Sequence, residues 1–517
     1  MSAVTTNPFI SLHADDNIAV AARQVPTGTT LEIAGHSLTT NDTIDLGHKV
    51  AVTAIKKGQP VKKFGQTIGF ASRDIPAGTW VHTHNVVIGE LELDYACASD
   101  IPPDPAPITG RTFMGYRRPD GRAATRNYVG IISTVNCSAS TSKYAAAQFD
   151  QALLEQYENI DGIIPLVHKA GCAMQYGGDD HYQLNRVLSG FAKHPNIGAY
   201  VIVGLGCETG PGSFLAEKTG LVQLQIPGQQ PEELPLILNI QDVGGVRKTV
   251  QRTVEVLKEL LPEANKVRRE PIPVSELILG CECGGSDGNS GVTANPALGI
   301  ASDLLIAHGG TSILAETPEI CGGEHTLTRR AATKEVGEKL IERVRWWEEY
   351  TAKFGVEINN NPSPGNKKGG LTTIYEKSLG AIAKGGRTAL KAVYQYAEPV
   401  TEKGFVFMDS PGYDPASVTG MVAGGANVVV FTTGRGSCFG CKPVPSIKVA
   451  TNTPMYERMV DDMDINAGKV LDGSTVEDVG AEIFEMIVAT ASGEKTKSEA
   501  QGIGDEEFCP WSIGPVL

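Results

Sequence analysis

The chain has 517 residues, a globular composition and a net charge of −14 at pH 7. Its length exceeds what one hydrophobic core usually serves, so we expect several domains. The acidic balance argues against nucleic acid as a partner, because binding DNA or RNA requires a basic surface that displaces counterions.

The sequence contains neither a recognisable secretory signal nor a membrane-spanning run. A signal peptide needs a basic stretch followed by an apolar core, and a spanning helix needs roughly 18 apolar residues. We therefore expect a cytoplasmic protein without a membrane partner. Its ten cysteines are then expected to stay reduced and to be available as thiols or metal ligands.

The N-terminal part, residues 1–97, is predicted to be a small all-β domain. Short apolar runs at residues 18–20, 31–33 and 68–70 alternate with turns that contain glycine and proline. Frequent turns without a long helical period are typical of short strands. A proline-rich stretch at 98–111 then predicts an extended linker.

Beyond the linker, apolar strands alternate with amphipathic helices, which indicates an α/β fold with mainly parallel sheets. The predicted strands are 129–132, 162–166, 199–203, 277–279, 311–315, 404–408 and 427–431, and the predicted helices are 143–156, 246–261 and 334–350. A charged stretch followed by prolines near residue 270 suggests two α/β domains. They would span 112–270 and 271–517, and the second would be catalytic.

Four cysteines share one position relative to the predicted strands, since each directly follows a buried strand: Cys137, Cys172, Cys207 and Cys283. Ligands bind at the carboxyl edge of open α/β sheets. Converging thiolates there would suit a soft or borderline metal such as iron. The alternative interpretation is that buried cysteines serve as small hydrophobic residues.

Histidines are concentrated in the N-terminal domain, and His13 and His48 are candidate metal ligands there because imidazole binds divalent ions. His48 is also a candidate general base, together with His168, which lies just ahead of Cys172. Ordinary surface histidines are the alternative interpretation.

Polar segments framed by glycine provide groups for an anionic substrate. Ser286 and Asp287 lie in one segment, Asn366 and Lys367 in another, and Arg435 stands between two glycines after a predicted strand. Arginine in such a setting can hold a carboxylate through two parallel hydrogen bonds. Lys367 and Arg435 are therefore the predicted carboxylate clamps, although each segment by itself is also consistent with an ordinary turn.

Residues 201–210 resemble the start of a dinucleotide-binding fingerprint. The third glycine is one place late, at Gly210, and no acidic residue clearly ends a second strand about twenty residues further on. A nicotinamide-dependent oxidoreductase is therefore a minor alternative.

Over essentially its whole length the sequence resembles the altronate/galactarate dehydratase family. The matching segments are HADDN at 13–17, GHKVA at 47–51, GLGCE at 204–208, CGGSD at 283–287, TANP at 293–296, NPSPGNK at 361–367, TGRG at 433–436 and DINAG at 464–468. The resemblance implies an N-terminal SAF-type β-clip domain joined to a catalytic region. It also implies dehydration of a sugar acid that depends on a divalent metal, usually ferrous iron.

Two features bear on the substrate. Segments 82–85, 177–181 and 283–288 look like the altronate branch of the family, whereas 366–371 and 464–468 look more like the galactarate branch. Cys438 and Cys441 stand where the family pattern has Pro-Tyr or similar residues. We predict D-altronate as the substrate and 2-dehydro-3-deoxy-D-gluconate as the product, with galactarate or another aldonate or aldarate as alternatives.

Dehydration of a 2,3-dihydroxy acid removes the proton beside the carboxylate and expels the neighbouring hydroxyl as water, while a metal stabilises the developing charge. We assign metal binding to His13 and His48, with the four strand-end cysteines as the competing set. Lys367, Arg435, His48 and His168 are the predicted catalytic residues. The predicted substrate-binding residues are Asp16, Asn17, Ser286, Asp287, Asn366, Lys367 and Arg435.

Ferrous iron is the predicted cofactor, and Mn²⁺, another divalent ion or an iron–sulfur cluster are alternatives. A homodimer is a possible assembly. A sugar-acid binding protein without turnover is the remaining functional alternative.

Overall fold

The computed structural model describes residues 7–219, 221 and 235–514. Its first part is all-β, as predicted. The strands are β1 (Phe9–Ile10), β2 (Ile18–Ala21), β3 (Thr30–Ile33), β4 (His36–Thr39), β5 (Lys49–Ala51), β6 (Pro60–Lys63), β7 (Gln66–Ala71), β8 (Trp80–Val81) and β9 (Val86–Val87).

These strands form three antiparallel sheets in the orders β1-β2-β5-β8, β3-β4 and β6-β7-β9. Two small apolar cores hold the sheets together, one containing Ile18 and Ile68 and the other containing Ile44 and Val50. The turn before β5 needs a left-handed backbone, with φ of 79° at Gly47, which glycine adopts at little cost. This turn presents the start of β5 to the C-terminal domain.

Residues 88–111, which include the linker predicted for 98–111, contain no helix or strand. A small antiparallel sheet follows, in the order β11-β10-β16, made of β10 (Thr112–Arg117), β11 (Ala123–Ala124) and β16 (Glu270–Pro273). Strand β16 lies across the boundary predicted at residue 270. Ile272 pairs with Phe113 and both are buried, so burial of these side chains ties the two α/β domains together at that point.

The second domain contains a parallel sheet in the order β13-β12-β14-β15. Its strands are β12 (Tyr128–Ser133), β13 (Gly162–Leu166), β14 (Ile197–Gly204) and β15 (Ile237–Asn239), and its helices are α1 (Asn136–Ala146), α2 (Gln151–Leu154), α3 (Asp179–Ala192), α4 (Gly212–Thr219), α5 (Ile240–Val243) and α6 (Val246–Ala264). The single helix predicted for 143–156 is wrong. The chain leaves α1 before Asp150, whose side chain accepts the Leu153 N–H and starts α2 as a separate turn.

The third domain contains a seven-stranded parallel sheet in the order β19-β20-β18-β17-β21-β22-β23. Its strands are β17 (Ile278–Cys283), β18 (Thr311–Leu314), β19 (Leu390–Tyr394), β20 (Gly404–Met408), β21 (Val428–Thr433), β22 (Ser446–Ala450) and β23 (Ile465–Asn466). Strands β17, β20 and β21 are almost entirely buried on both faces, as parallel sheets covered by helices require.

The helices of this domain are α7 (Ala294–Ala307), α8 (His325–Arg329), α9 (Lys334–Lys353), α10 (Pro364–Lys368), α11 (Ile374–Ile382), α12 (Asp414–Ala423), α13 (Thr453–Arg458), α14 (Val476–Ala491) and α15 (Lys497–Ala500). The helices predicted at 246–261 and 334–350 are confirmed as α6 and α9. Within 7–219, 221 and 235–514, no helix is long and apolar enough to cross a bilayer.

A buried ion network fastens the N-terminal β domain to the C-terminal domain. Glu376 on α11 lies 2.9 Å from the ammonium groups of both Lys49 on β5 and Lys63 on β6, and all three side chains are buried. Burial by itself would raise the pKa of Glu376, but the charges of Lys49 and Lys63 outweigh it and hold that pKa well below its usual range. Contact between the N-terminal β domain and the C-terminal domain therefore depends on the negative charge of the Glu376 carboxylate.

Replacing Glu376 by alanine should destabilise the protein by about 3–5 kcal/mol at pH 7, because two buried ammonium groups would lose their partner. Since the pKa of Glu376 is lower in the folded chain than its ordinary value of 4.5, this stabilisation is present above that pH and is lost as the pH falls. Urea unfolding at pH 7 and pH 4 measures both effects. The control is Glu349→Ala, because Glu349 is exposed. If both variants change the free energy of unfolding equally, the stabilising role of the Glu376 network is contradicted.

Candidate active site

The candidate site lies at the carboxyl edge of the seven-stranded sheet, between β17 and β21. Strands β18, β19 and β20 lie on one side of β17 in the sheet, and β21, β22 and β23 lie on the other side. Strand β21 pairs with β17 in parallel. Such a switch in strand order opens a crevice in which ligands bind. Segments 283–287 and 433–435 meet there, and the Arg435 N–H donates to the Gly285 carbonyl at 2.8 Å.

A cleft of about 740 Å³ extends from this edge to the N-terminal β domain, and we call it the β-domain cleft. Its ionisable lining includes Asp45, His48, Asp287, Lys368, Arg435 and Arg458. The Arg435 side chain is exposed, and among the described residues its guanidinium has no hydrogen-bond or ion-pair partner. It is therefore available to a carboxylate.

Asp287 lies at the inner end of the cleft and is buried. Its carboxylate accepts hydrogen bonds from the Thr451 hydroxyl at 3.0 Å, the Asn452 amide at 3.1 Å and the Ser290 hydroxyl at 3.1 Å. Burial raises the pKa of Asp287, and these donors oppose the shift. A Cβ atom on Gly434 would lie 2.1 Å from the Asp287 Cγ, so the residue before Arg435 has to be glycine.

Next to Asp287 is a set of potential metal ligands, which we call the ligand group: Glu282, Cys283, Glu316, Glu319 and Asp414. The ligand atoms of Cys283, Glu316 and Glu319 all lie within 4.8 Å of one another, as do those of Glu282, Glu316 and Asp414. One oxygen of Glu316 and one of Glu319 are buried without a hydrogen-bond partner among the described residues. Orphaned carboxylate oxygens beside a thiol fit a divalent cation of borderline softness.

The ligand group is assembled from the ends of three neighbouring strands. Cys283 ends β17, Glu316 follows β18, and Asp414 begins the helix that follows β20. The φ angle of Glu316 is 69°, which is uncommon for a residue with a side chain. Strained backbone of this kind is concentrated at functional sites.

Two buried lysines offset part of the negative charge. Lys384 Nζ lies 2.9 Å from Cys283 Sγ and 3.4 Å from Glu316 Oε2, and Lys377 Nζ lies 2.5 Å from Glu319 Oε1. Burial raises the pKa of Glu316 well above its usual range. Burial opposes the charge on Lys384, but Cys283 and Glu316 outweigh it and raise that pKa.

Comparison with known proteins decides the family. Three family models match successive parts of the chain: the altronate/galactarate dehydratase SAF domain at 7–89, the D-galactarate dehydratase/altronate hydrolase second domain at 115–265, and the D-galactarate/altronate dehydratase C-terminal domain at 274–516. The altronate dehydratase of Bacillus subtilis is 36% identical over 494 residues, which cover 95% of this chain and 96% of that protein. The chain belongs to the altronate/galactarate dehydratase family.

Two Escherichia coli enzymes are similarly close. Galactarate dehydratase (L-threo-forming) is 37% identical over 513 residues, covering 96% of this chain and 95% of that enzyme. Altronate dehydratase is 35% identical over 492 residues, covering 95% of this chain and 96% of that enzyme. The predicted family and its SAF domain are thus confirmed, and the family is one of sugar-acid hydro-lyases.

His48, in the SAF domain, lines the β-domain cleft. Its Nδ1 accepts the Trp80 indole N–H at 3.1 Å, and its Nε2 donates to the Lys368 carbonyl at 3.3 Å. Burial lowers the pKa of His48, which favours the neutral ring. Because both nitrogens are occupied, the geometry favours a positioning role over the predicted roles of metal ligand and base.

The segment from His13 to Asn17 is used inside the SAF domain. Asp16 accepts N–H groups of Phe64 and Gly65 at 3.2 and 2.8 Å, and Asn17 binds the backbone of the same hairpin, with its amide 2.9 Å from the Pro60 carbonyl. The structure does not bring these residues into the cleft. Backbone groups already engage Asp16 and Asn17, which argues against their predicted substrate contacts. His13, whose Nδ1 accepts the Asp15 N–H at 3.1 Å, lies outside the cleft lining, which argues against its predicted metal role there.

His168 is buried in the second domain, where its Nε2 donates to the Ser133 carbonyl at 2.9 Å and its Nδ1 accepts the Ala170 N–H at 3.2 Å. Burial lowers its pKa to about 4. A neutral ring with both nitrogens bonded to backbone has no free site for a substrate proton, so this position does not support its predicted role as base.

The four predicted cysteines do not form one site. Cys283 belongs to the ligand group in the C-terminal domain. Cys137, Cys172 and Cys207 lie together at the carboxyl edge of the other sheet, in the second domain. All four cysteines follow a strand, but the strands belong to two separate sheets. The cysteines are therefore divided between two places in the molecule.

The remaining predicted residues lie around Asp287. Ser286 is buried, and its hydroxyl has no hydrogen-bond partner among the described residues. Asn366 supports the loop, since its amide donates to the Ser286 carbonyl at 2.8 Å. Lys367 is half-buried and is not part of the cleft lining, where the adjacent Lys368 is found instead.

Sequence reasoning missed Glu316, Glu319, Asp414 and Lys384. Glu316 directly follows the strand predicted at 311–315, so the rule that singled out the strand-end cysteines applied to it as well. No sequence pattern pointed to Lys384, because it does not follow a predicted strand. It contacts Cys283 from a 3₁₀ turn about a hundred residues further along the chain.

Proposed function

We propose that this chain dehydrates D-altronate to 2-dehydro-3-deoxy-D-gluconate. The proposal rests on one observation: the single segment 283–287 contributes residues both to the ligand group and to the β-domain cleft. Cys283 belongs to the buried ligand group, and Asp287 lines the cleft that also holds the exposed Arg435. Four residue steps span at most about 14 Å. A small hydroxy acid bound by Arg435 therefore lies close to the ligand group.

The residues of the cleft suit the binding and orientation of a sugar acid. Arg435 provides a fork of N–H donors for the carboxylate, and Lys368 adds a second cation at the rim. Asp287 holds the Asn452 amide and the Thr451 hydroxyl in place, so these groups are oriented before the substrate binds. The SAF domain closes one side of the cleft and limits the access of water.

Cys283, Glu316 and Glu319, with Glu282 and Asp414 beside them, are the residues that would hold a divalent metal, and ferrous iron suits their mixture of thiol and carboxylate ligands. When bound, such a metal stabilises the negative charge that develops as the proton beside the substrate carboxylate is removed. Lys384 and Lys377 offset part of the negative charge of the protein ligands and limit their mutual repulsion. Cytoplasmic location and a homodimer remain predictions.

Galactarate is the second candidate substrate. Arg458 lines the same cleft as Arg435 and is also exposed, which suits an acid that has a carboxylate at each end. The similarity to the galactarate dehydratase of E. coli supports the same candidate.

One assay tests the proposal. The protein is stripped of metal, reloaded with Fe²⁺ or Mn²⁺ without oxygen, and incubated with D-altronate, galactarate and other sugar acids while 2-keto acid is measured. We expect turnover of D-altronate that a chelator abolishes and added Fe²⁺ restores. A metal-free protein that reacts at an undiminished rate, or a loaded protein that makes no 2-keto acid from the panel, would overturn it.

A further inference from the structure

We propose that Cys137, Cys172 and Cys207 hold an iron–sulfur cluster at the carboxyl edge of the second domain's sheet. Three thiolates would bind three of the four irons of a four-iron, four-sulfur cluster and leave the fourth without a protein ligand. This site is separate from the ligand group, which lies in the other sheet.

The backbone brings the three cysteines together. They follow β12, β13 and β14, and these strands are direct neighbours in one parallel sheet. The loops are also tied to each other, because the Asn136 N–H donates to the Ala170 carbonyl at 2.9 Å and the Thr209 N–H donates to the Gly171 carbonyl at 3.0 Å. Each of these bonded residues lies within two positions of a cysteine.

Glycine makes this close approach of the loops possible. A Cβ atom on Gly171, whose φ is 104°, would lie 2.5 Å from the Thr134 carbonyl oxygen and 2.7 Å from the Val135 Cα. The residue before Cys172 is thus pressed against the backbone that leads to Cys137. Glu208 fixes the third loop, since its carboxylate accepts the Thr134 hydroxyl at 2.6 Å and the Gly206 N–H at 2.6 Å.

The exposure of these thiols is unusual. Cys137, Cys172 and Cys207 are all exposed, although free cysteine is among the most buried residue types, and four other cysteines of this chain are buried. Partial burial raises the pKa of the Cys172 thiol, and Cys137 and Cys207 raise it further, which is consistent with three sulfurs close enough to interact. Packing does not explain three exposed cysteines at one place, whereas metal binding does.

The spacing favours a cluster over a single ion. Two thiolates on one tetrahedral zinc, each about 2.3 Å from the metal, lie roughly 3.8 Å apart. Among the described residues, the groups of potential ligands whose atoms all lie within 4.8 Å are the two built around Glu316, so at least one pair of the three cysteine sulfurs lies further apart than 4.8 Å. A cluster binds each thiolate at a different iron and accommodates the wider spacing.

Two polar side chains next to the cysteines are already engaged by other groups of the described residues. Glu208 is engaged by the loop that it fixes, and both ring nitrogens of His168 are bonded to backbone. A cavity of about 830 Å³ lies beside Cys172, and Tyr413 and Pro415 of the C-terminal domain also line it. An iron without a protein ligand at this place would be open to water or to a small oxygen-bearing anion.

The test is anaerobic reconstitution of the full chain with iron, sulfide and a thiol reductant, followed by removal of unbound metal. Wild-type protein should retain about four acid-labile sulfides per chain and about four irons in addition to any iron held by the ligand group, with a broad visible absorption that fades in air. Cys137→Ser, Cys172→Ser and Cys207→Ser should each lose most of the sulfide and the absorption. Cys438→Ser, which removes an exposed cysteine elsewhere, should retain both.

Circular dichroism of each variant shows whether it is folded, so loss of the cluster is separable from loss of structure. Wild-type protein that binds no labile sulfide, or a folded triple variant that binds as much as wild type, would overturn the inference. Turnover of D-altronate is assayed separately, so failure of the cluster and failure of the proposed dehydration give different results.

Discussion

Replacing Glu319 by glutamine should lower kcat by more than about 100-fold and should weaken binding of Fe²⁺ or Mn²⁺ to a similar degree. The change removes one carboxylate from the ligand group and leaves Lys377 buried without its ionic partner at 2.5 Å. Loss of groups that support a metal site typically costs 10–100-fold in affinity or activity, and Glu319 is placed as a direct ligand. Metal titration and steady-state turnover of the same preparation measure the two effects.

The matched control is Glu324→Gln. Glu324 is also a buried carboxylate, and its partner is the Tyr95 hydroxyl at 3.1 Å rather than the ligand group. This control should keep its metal affinity and turnover. If Glu319→Gln binds metal as tightly as wild type and remains active, the ligand group is not the metal site. The histidines and cysteines first predicted as ligands would then have to be tested in its place.

Replacing Arg435 by alanine should lower kcat/KM for the sugar acid by about 10- to 100-fold, mainly through KM. A hydrogen bond to a charged group contributes about 1.5–3 kcal/mol, and a tenfold change corresponds to about 1.4 kcal/mol. Arg435→Lys should recover part of the loss, because it restores the charge but not the paired donors. Steady-state kinetics over a range of substrate concentrations separate KM from kcat.

Arg247→Ala is the control for this experiment, because Arg247 is exposed on α6 of the second domain, far along the chain from the cleft. It should leave kcat/KM unchanged. Since Arg435 has no partner among the described side chains, its removal should also leave the unfolding midpoint unchanged. Near-normal kinetics of Arg435→Ala would remove this residue from the substrate site.

Local patterns in the sequence predicted most of the strands. The strands predicted at 162–166 and 404–408 coincide with β13 and β20. The apolar run of β20 is buried along its whole length, as a strand covered on both faces requires, whereas β13, at the edge of its sheet, is only partly buried. The helix predicted for 143–156 failed, since apolar periodicity continued past Asp150, where a side-chain cap starts a new turn. The boundary at residue 270 was predicted from a change in composition. Composition does not reveal that β16, which lies at this boundary, pairs with β10.

For the site, the residue types and their places at strand ends were readable from the chain. Arg435 and Asp287 were singled out because they lie in polar segments framed by glycine, and both line the cleft. The exposed cysteines of the second domain were also recognised, but they were combined with Cys283 into one set. Lys368 was passed over in favour of Lys367, because the sequence does not indicate which way a short helix such as α10 turns its side chains.

Composition and periodicity thus defined an all-β start, an α/β remainder and a series of reactive side chains at the carboxyl ends of strands. Which of those ends meet depended on the order of strands in two separate sheets and on the docking of the SAF domain through Glu376. Strand order and docking arise from burial of apolar surface and pairing of charges between segments hundreds of residues apart. A local pattern does not contain that information, which is why Glu319 and Lys384 emerged only once the chain was folded, whereas the strand-end position of Glu316 could be read from the sequence.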